Sequence, residues 1–223
     1  MEKTENNTSD IKCLFLGDTF PNLDVKTQEG DFKLYDYMGE GWLLFFSHPR
    51  DFTPVCTTEL GKVSKLSEEF SKRNTKPIAL SCDSVESHKK WIEDINSTQK
   101  TKVNYPIIAD EDFSIAKSIG MFHPNCDSKV TVRTTYIISP DKKVKLMIQY
   151  PPSTGRNFDE ILRVLDSLQL TAYNQVATPE NWKKGDKCVI IPSLSNDDAK
   201  IKFPQGWDEV TPYLRLVDLN KKD

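Results

Sequence analysis

Apolar residues along this chain fall into blocks whose spacing switches between strand and helix periods. Trp42–Ser47 reads W-L-L-F-F-S, five apolar residues in succession. A run of that length fits a short strand covered on both faces, rather than one with a side open to water. After a turn through His48 and Pro49, Leu60, Val63, Leu66 and Phe70 recur at helical spacing. They make one apolar stripe on a helix expected over residues 55–73. Glu59 falls in its expected first turn and Lys72 and Arg73 in its last, the order that suits the helix dipole. A strand is expected over 77–81. Asp83 with Glu86 then resembles a capping box opening a second amphipathic helix through Val85, His88, Trp91, Ile92 and Ile95.

The alternation continues. A short strand is expected over 106–109, a short helix over 113–119, and strands over 130–138 and 143–150 that turn at Pro140-Asp141 as a hairpin. Asn157 with Glu160 opens a further helix through Ile161, Leu162, Leu165 and Leu168. Upstream, residues 13–25 read as loop or extended chain, and Gly30 marks the turn of a small hairpin. Strands alternating with helices imply an α/β core with a mixed sheet covered on both faces. Past Leu170 the texture changes. Residues 171–223 hold four prolines, little periodicity and one clear strand over 188–191. Such a tail is expected to pack on the main domain or on a partner. The expected division is 1–171 and 172–223, one domain with an extension, as 223 residues suggests.

Composition adds exclusions. With 37% hydrophobic residues the chain can bury a real core, and a net charge of −3 supplies no field for a phosphate backbone, so nucleic acid is not an expected partner. No stretch approaches the roughly 18 apolar residues of a membrane helix. Residues 1–12 are polar, without the apolar run of a secretory signal, so a cytoplasmic location is expected and the N-X-S/T matches at Asn6, Asn7 and Asn96 read as chance. Five cysteines, Cys13, Cys56, Cys82, Cys126 and Cys188, stand far apart without a CxxC pair. That spacing argues against a structural zinc site or a dithiol, and the odd count argues against a disulfide framework.

Cys56 is the cysteine placed for chemistry. The thiolate is the nucleophilic form of cysteine, and a helix N-terminus or an adjacent cation favours it. Cys56 stands in the first turn of the expected helix, just after Pro54, with the Thr53 hydroxyl three residues before it. Taken alone it reads more readily as a small buried residue at a strand–helix junction, since free cysteines are commonly buried and inert. The string around it is more specific. Residues 49–56, P-R-D-F-T-P-V-C, fit P-x-x-x-T-x-x-C, and the longer run F-S-H-P-R-D-F-T-P-V-C-T-T-E-L resembles the one-cysteine branch of the peroxiredoxins. D-S-V-E-S-H, P-D-K-K-V-K-L, T-G-R-N-F-D-E-I-L-R-V and A-T-P-E-N-W-K-K-G-D extend the resemblance over roughly residues 12–215.

The resemblance implies a thioredoxin-like α/β fold, with a mixed central sheet flanked by helices and a small C-terminal dimerisation domain. It implies a homodimer that reduces hydrogen peroxide and alkyl hydroperoxides, with no metal and no bound organic cofactor. Cys56 would be the nucleophile that becomes a sulfenic acid. Thr53 would hydrogen-bond the peroxide, Pro49 would shield the site, and Arg133 would pair with thiolate and peroxide. Glu59 would orient Arg133, although a solvent-facing first-turn carboxylate fits the residues as well. His48 and Arg156 match further residues of the pocket, while His88 and His123 read as structural or exposed, and Trp42 and Trp182 as packing. The usual resolving motif of two-cysteine members is absent, so an external thiol is expected to recycle Cys56: glutathione, or the thioredoxin or glutaredoxin system. Two rivals stand beside this reading, a two-cysteine cycle through an unexpected thiol such as Cys188, and a redox sensor or holdase. Mammalian relatives of this branch also carry a lipase-like G-x-S-x-G element. Here the matching stretch is G-E-G-W-L with Gly41 at the serine position and Tyr35 at the histidine position, although Asp141 remains, so no phospholipase activity is expected from it.

Overall fold

The computed structural model describes residues 13–122 and 130–221, so His123 and Cys126 lie outside the described residues. The apolar run becomes β3 (Trp42–Ser47), buried along its whole length. It pairs in parallel with β4 (Thr75–Ser81) and antiparallel with β6 (Arg133–Ile138). Around this centre lie β1 (Asp24–Thr27), β2 (Gly30–Lys33), β5 (Ile107–Ala109) and β7 (Val144–Tyr150), giving the mixed order β2-β1-β5-β4-β3-β6-β7. The parallel steps need crossovers, which helices supply. α2 (Pro54–Lys65) and α3 (Ser67–Lys72) join β3 to β4, and α4 (Val85–Gln99) joins β4 to β5. Two short helices, α1 (Leu34–Met38) and α5 (Ser114–Ser118), complete this unit.

Side chains alternate across β3 and divide the core. Leu43 and Phe45 belong to a cluster with Phe20, Leu34, Ile78 and Tyr136. Phe46, from the opposite face, meets Tyr105 and Phe158 at ring separations of 6.0 and 6.1 Å. The Phe46 face is the one that carries the candidate site.

Several elements differ from the sequence reading. The helix expected over 55–73 is two helices, because Leu66 leaves helical geometry at φ −94° and ψ 8°. The apolar stripe survives the break, since Leu60, Val63 and Phe70 are all buried. Ser84, not Asp83, caps α4 by accepting from the Ser87 amide, and the Asp83 carboxylate instead receives the Asp51 amide and the Ser81 hydroxyl. The strand expected from residue 130 begins at Arg133.

The C-terminal part buries a small cluster of its own. α6 (Phe158–Tyr173) leads into β8 (Val176–Ala177), β9 (Cys188–Ile190), α7 (Asn196–Lys202), β10 (Asp208–Thr211) and β11 (Leu214–Val217). The strands make a sheet ordered β10-β11-β9-β8. Trp182, Cys188, Ile190, Phe203 and Val217 are among the residues buried together here. Arg215 is buried with them and donates to the Ile191 and Leu194 carbonyls and to Asn196. The compact units divide between Phe158 and Asp159, upstream of the expected boundary after residue 171. Contacts of α6 explain the difference: Arg163 reaches the Trp182 carbonyl, Ser167 bonds Thr178, and Leu170 packs on the C-terminal cluster. Among the described residues no helix is long and apolar enough to cross a membrane.

Candidate active site

Pro54 opens α2, where its fixed φ fits and its missing N–H leaves no gap in the ladder. Thr53 is the N-cap at φ −115° and ψ 146°. Cys56 therefore stands in the first turn, among backbone N–H groups that lack helical acceptors, and it is fully buried. Glu59 follows three positions later on the same face, one turn further in. It is buried in the second turn, so it plays no part at the helix start.

Glu59 gathers two arginines. Arg133, the first residue of β6, places Nη1 2.7 Å from Glu59 Oε2 and 3.3 Å from Cys56 Sγ. Its Nε and Nη2 donate to the Pro152 carbonyl at 3.0 and 2.7 Å, which fixes the plane of the guanidinium. Arg156 donates to Glu59 from its backbone amide at 2.7 Å, from Nε at 3.0 Å and from Nη2 at 2.7 Å. Its remaining Nη1 reaches the Thr134 carbonyl and Thr135 Oγ1. The Arg156 guanidinium also lies 5.1 Å from the centre of the Phe46 ring. Burial alone would raise the Glu59 carboxyl, but Arg156 and Arg133 together outweigh it and hold the group below its ordinary range. Two buried guanidiniums and one carboxylate leave a surplus positive charge beside sulfur, which a thiolate would balance.

A second buried cluster precedes α2. Burial keeps the His48 imidazole below its ordinary range despite Asp51. His48 Nε2 lies 2.9 Å from Asp51 Oδ1, and Asp51 Oδ2 lies 2.7 Å from His88 Nδ1 and accepts from Ser87 Oγ at 2.8 Å. Burial opposes charge on Asp51, yet the two imidazoles hold its carboxyl below the usual carboxylate range. His48, Asp51 and Asp83 bring metal-ligand atoms within 4.8 Å of one another. Hydrogen bonds among themselves and to Ser81, Ser87 and the Asp51 amide already engage them.

The structure thus joins Cys56, Glu59, Arg133 and Arg156 in one network and places His48 in a neighbouring one. Thr53 directs its hydroxyl to the Arg50 carbonyl at 2.9 Å and keeps its oxygen lone pairs as acceptors. Pro49 is buried beside His48. His88 is buried and paired with Asp51, which makes it structural rather than exposed. The sequence reading missed Asp51 and the Pro152 carbonyl. Spacing of three from His48 was the sole local signal for Asp51, and a backbone carbonyl carries none.

Comparison with known proteins decides the lineage. Residues 16–147 match the AhpC/TSA family, and residues 167–206 match the C-terminal domain of 1-Cys peroxiredoxin. The chain is 52% identical to a 1-Cys peroxiredoxin of Dictyostelium discoideum over 92% of its own length and 85% of that protein. The chain belongs to the 1-Cys peroxiredoxins. Its fold is thioredoxin-like and its activity is that of a thiol-dependent peroxidase. Two solved structures are similar at a TM-score of 0.87 and 46% identity: a cysteine-to-serine variant of peroxiredoxin 6 from Arenicola marina, over 94% of this chain and 100% of that one, and a yeast mitochondrial 1-Cys peroxiredoxin, over 92% and 99%.

Within this peroxiredoxin the four described cysteines are free thiols. Burial and the nearby Asp110, Asp83 and Asp112 push the Cys82 thiol up to about 12. Burial also raises Cys188, in a strand of the C-terminal core. Neither environment favours a thiolate. At the lipase-like stretch, Tyr35 donates its hydroxyl to the Phe20 carbonyl at 2.5 Å, and Asp141 is engaged by Ser139. A Cβ at Gly41 would lie 2.7 Å from the Asn74 carbonyl oxygen, a backbone atom that also receives the Trp42 amide.

Two outcomes follow from this geometry. Gly41→Ser should destabilise the fold by about 1–3 kcal/mol without creating esterase activity; measurable ester hydrolysis by a folded Gly41→Ser protein would contradict the assignment. Glu59, with its folded pKa below the ordinary 4.5, contributes stability that is complete above 4.5 and lost as pH falls toward the folded value. The stability gap between wild type and Glu59→Gln, read from urea melts, should therefore be about 3–5 kcal/mol near neutral pH and narrow below 4.5. A gap that does not change with pH would contradict it.

Proposed function

We propose that this peroxiredoxin reduces hydrogen peroxide and alkyl hydroperoxides at Cys56 through a sulfenic acid that an external thiol recycles. The contact of Arg133 Nη1 with Cys56 Sγ at 3.3 Å, locked by Glu59 and Pro152, carries this reading. The thiolate attacks one peroxide oxygen, the O–O bond breaks, and the departing oxygen takes a proton to leave as water or alcohol. Arg133 faces both the sulfur and the charge that develops on the departing oxygen, as a preorganised donor should. Arg156 and Glu59 hold Arg133 in place. Thr53 offers its oxygen as an acceptor for the peroxide hydrogen, and Pro49 and His48 wall the loop against water.

An external thiol then attacks the sulfenic sulfur and water departs, leaving a mixed disulfide. A second thiol releases Cys56 from it. The yeast neighbour, described as resolved through glutathione and thioredoxin systems, supports a reductant of that kind; glutaredoxin is a further candidate. The raised thiols of Cys82 and Cys188 favour a cycle without an internal partner. We further propose a cytoplasmic homodimer in which residues 172–223 serve dimerisation.

Cys56→Ser should lose peroxide consumption supported by any of these reductants, whereas Cys188→Ser should keep a rate within about twofold of wild type. Full activity in Cys56→Ser would overturn the reading, and a peroxide-driven Cys56–Cys188 crosslink required for turnover would replace it with a two-cysteine cycle.

A further inference from the structure

Arg133 is held at its guanidinium end by Glu59 and the Pro152 carbonyl, but its main chain is the first residue of β6. The ladder between β3 and β6 runs from Leu43–Ile138 to Phe46–Thr135 and stops before reaching it. On the other side Arg133 is in register with Tyr150 of β7. A strand end paired along one side only is where a ladder loosens first.

Two buried hydroxyls take over where the ladder stops. Ser47, the last residue of β3, is fully buried and turns its Oγ to both peptide groups that flank Arg133. It accepts from the Thr134 amide at 3.1 Å and donates to the Val132 carbonyl at 2.5 Å. One hydroxyl offers a single hydrogen together with lone pairs, so donor and acceptor are both in use here. Next along the chain, the His48 carbonyl accepts from Thr131 Oγ1 at 2.7 Å. Thr131, Val132, Arg133 and Thr134 are all buried, so losing either hydroxyl would take a partner from a main-chain group shielded from solvent.

We propose that Ser47 and Thr131 are positioning residues of the peroxidase: their hydroxyls tie the main chain around Arg133 to the end of β3, and so fix the approach of Arg133 to the Cys56 sulfur. The inference rests on the reading of Cys56 as nucleophile and Arg133 as its partner. Arg133 Nη1 lies 3.3 Å from Sγ, and a shift of about 1 Å at the main chain would remove that contact. Both ends of the contact then hang from one strand, because the chain leaving Ser47 turns directly into α2 and Cys56.

The test is a double-mutant cycle on the rate at which hydrogen peroxide oxidises Cys56. The rate is followed by mass spectrometry of the Cys56 peptide, in variants that urea melts show to be folded. Ser47→Ala should slow oxidation about tenfold or more in the wild-type background. In Arg133→Gln, where no guanidinium is left to position, it should slow oxidation by less than about twofold. Thr131→Val, which keeps the shape without the hydroxyl, should slow oxidation about threefold or more, and Thr131→Ser should not. That second pair decides the matter if Ser47→Ala does not fold. A merely structural hydroxyl would lower the urea midpoint and leave the rate of the folded protein unchanged, or slow both backgrounds equally, and either result would overturn the proposal. So would Thr131→Val at the wild-type rate, or Thr131→Val and Thr131→Ser slowed alike. Wild-type protein whose Cys56 is not oxidised at all would instead sink the reading of Cys56, so the two failures are distinct.

Discussion

Glu59 is the group on which the site depends. One carboxylate holds two guanidiniums, and one of those guanidiniums touches the sulfur. Burying three charges is costly, and such networks are poor evidence of stability in themselves. Their use here is geometric and electrostatic. Each Glu59 oxygen is saturated by Arg133 or Arg156, and the Pro152 carbonyl takes the other edge of Arg133, so the guanidinium cannot rotate away from Cys56. The charge left over after the pairing is positive and lies next to the atom that must be negative to react.

The fold brings these residues together because β3 is flanked by β6 on one side while the chain leaving β3 turns directly into α2. Phe46 pairs with Thr135 across the antiparallel ladder, which sets Arg133 near the C-terminal end of β3, close to where α2 begins. Phe46 supplies the floor beneath Arg156, and Phe158 packs against the same ring. Gly155 keeps the chain close to Val55 and Glu59, since a Cβ there would lie 3.3 Å from the Val55 side chain. Cys56, Arg133 and Arg156 come from parts of the chain far apart in sequence, so the site forms only when the sheet does. A rigid sheet is what holds reacting groups at fixed distances.

Much of this was legible in the chain itself. The continuous apolar run of β3 marked a strand covered on both faces, and the helical stripe behind it placed Cys56 in a first turn. The family resemblance identified Arg133, in V-T-V-R-T-T-Y, and Arg156, in T-G-R-N-F-D, as candidates. The burial of Glu59 was not legible, because a glutamate three residues into a helix face looks the same whether it meets solvent or two arginines. The C-terminal sheet escaped for a different reason. Apart from the strand read over 188–191, which appears as Cys188–Ile190, its strands are too short to show a period, Val176–Ala177 most plainly, and the sheet packs around Trp182 and Phe203. The pairing of Asp51 with His88 joins residues 37 positions apart, which neither period nor motif can reveal.

The most direct measurement is the single-turnover rate at which hydrogen peroxide oxidises Cys56 in Glu59→Gln compared with wild type, at neutral pH in protein shown to be folded. If Glu59 holds Arg133 on the sulfur, the variant should be slower by roughly ten- to a hundredfold. An unchanged rate would mean that the Glu59 clamp does not govern the reactivity of Cys56.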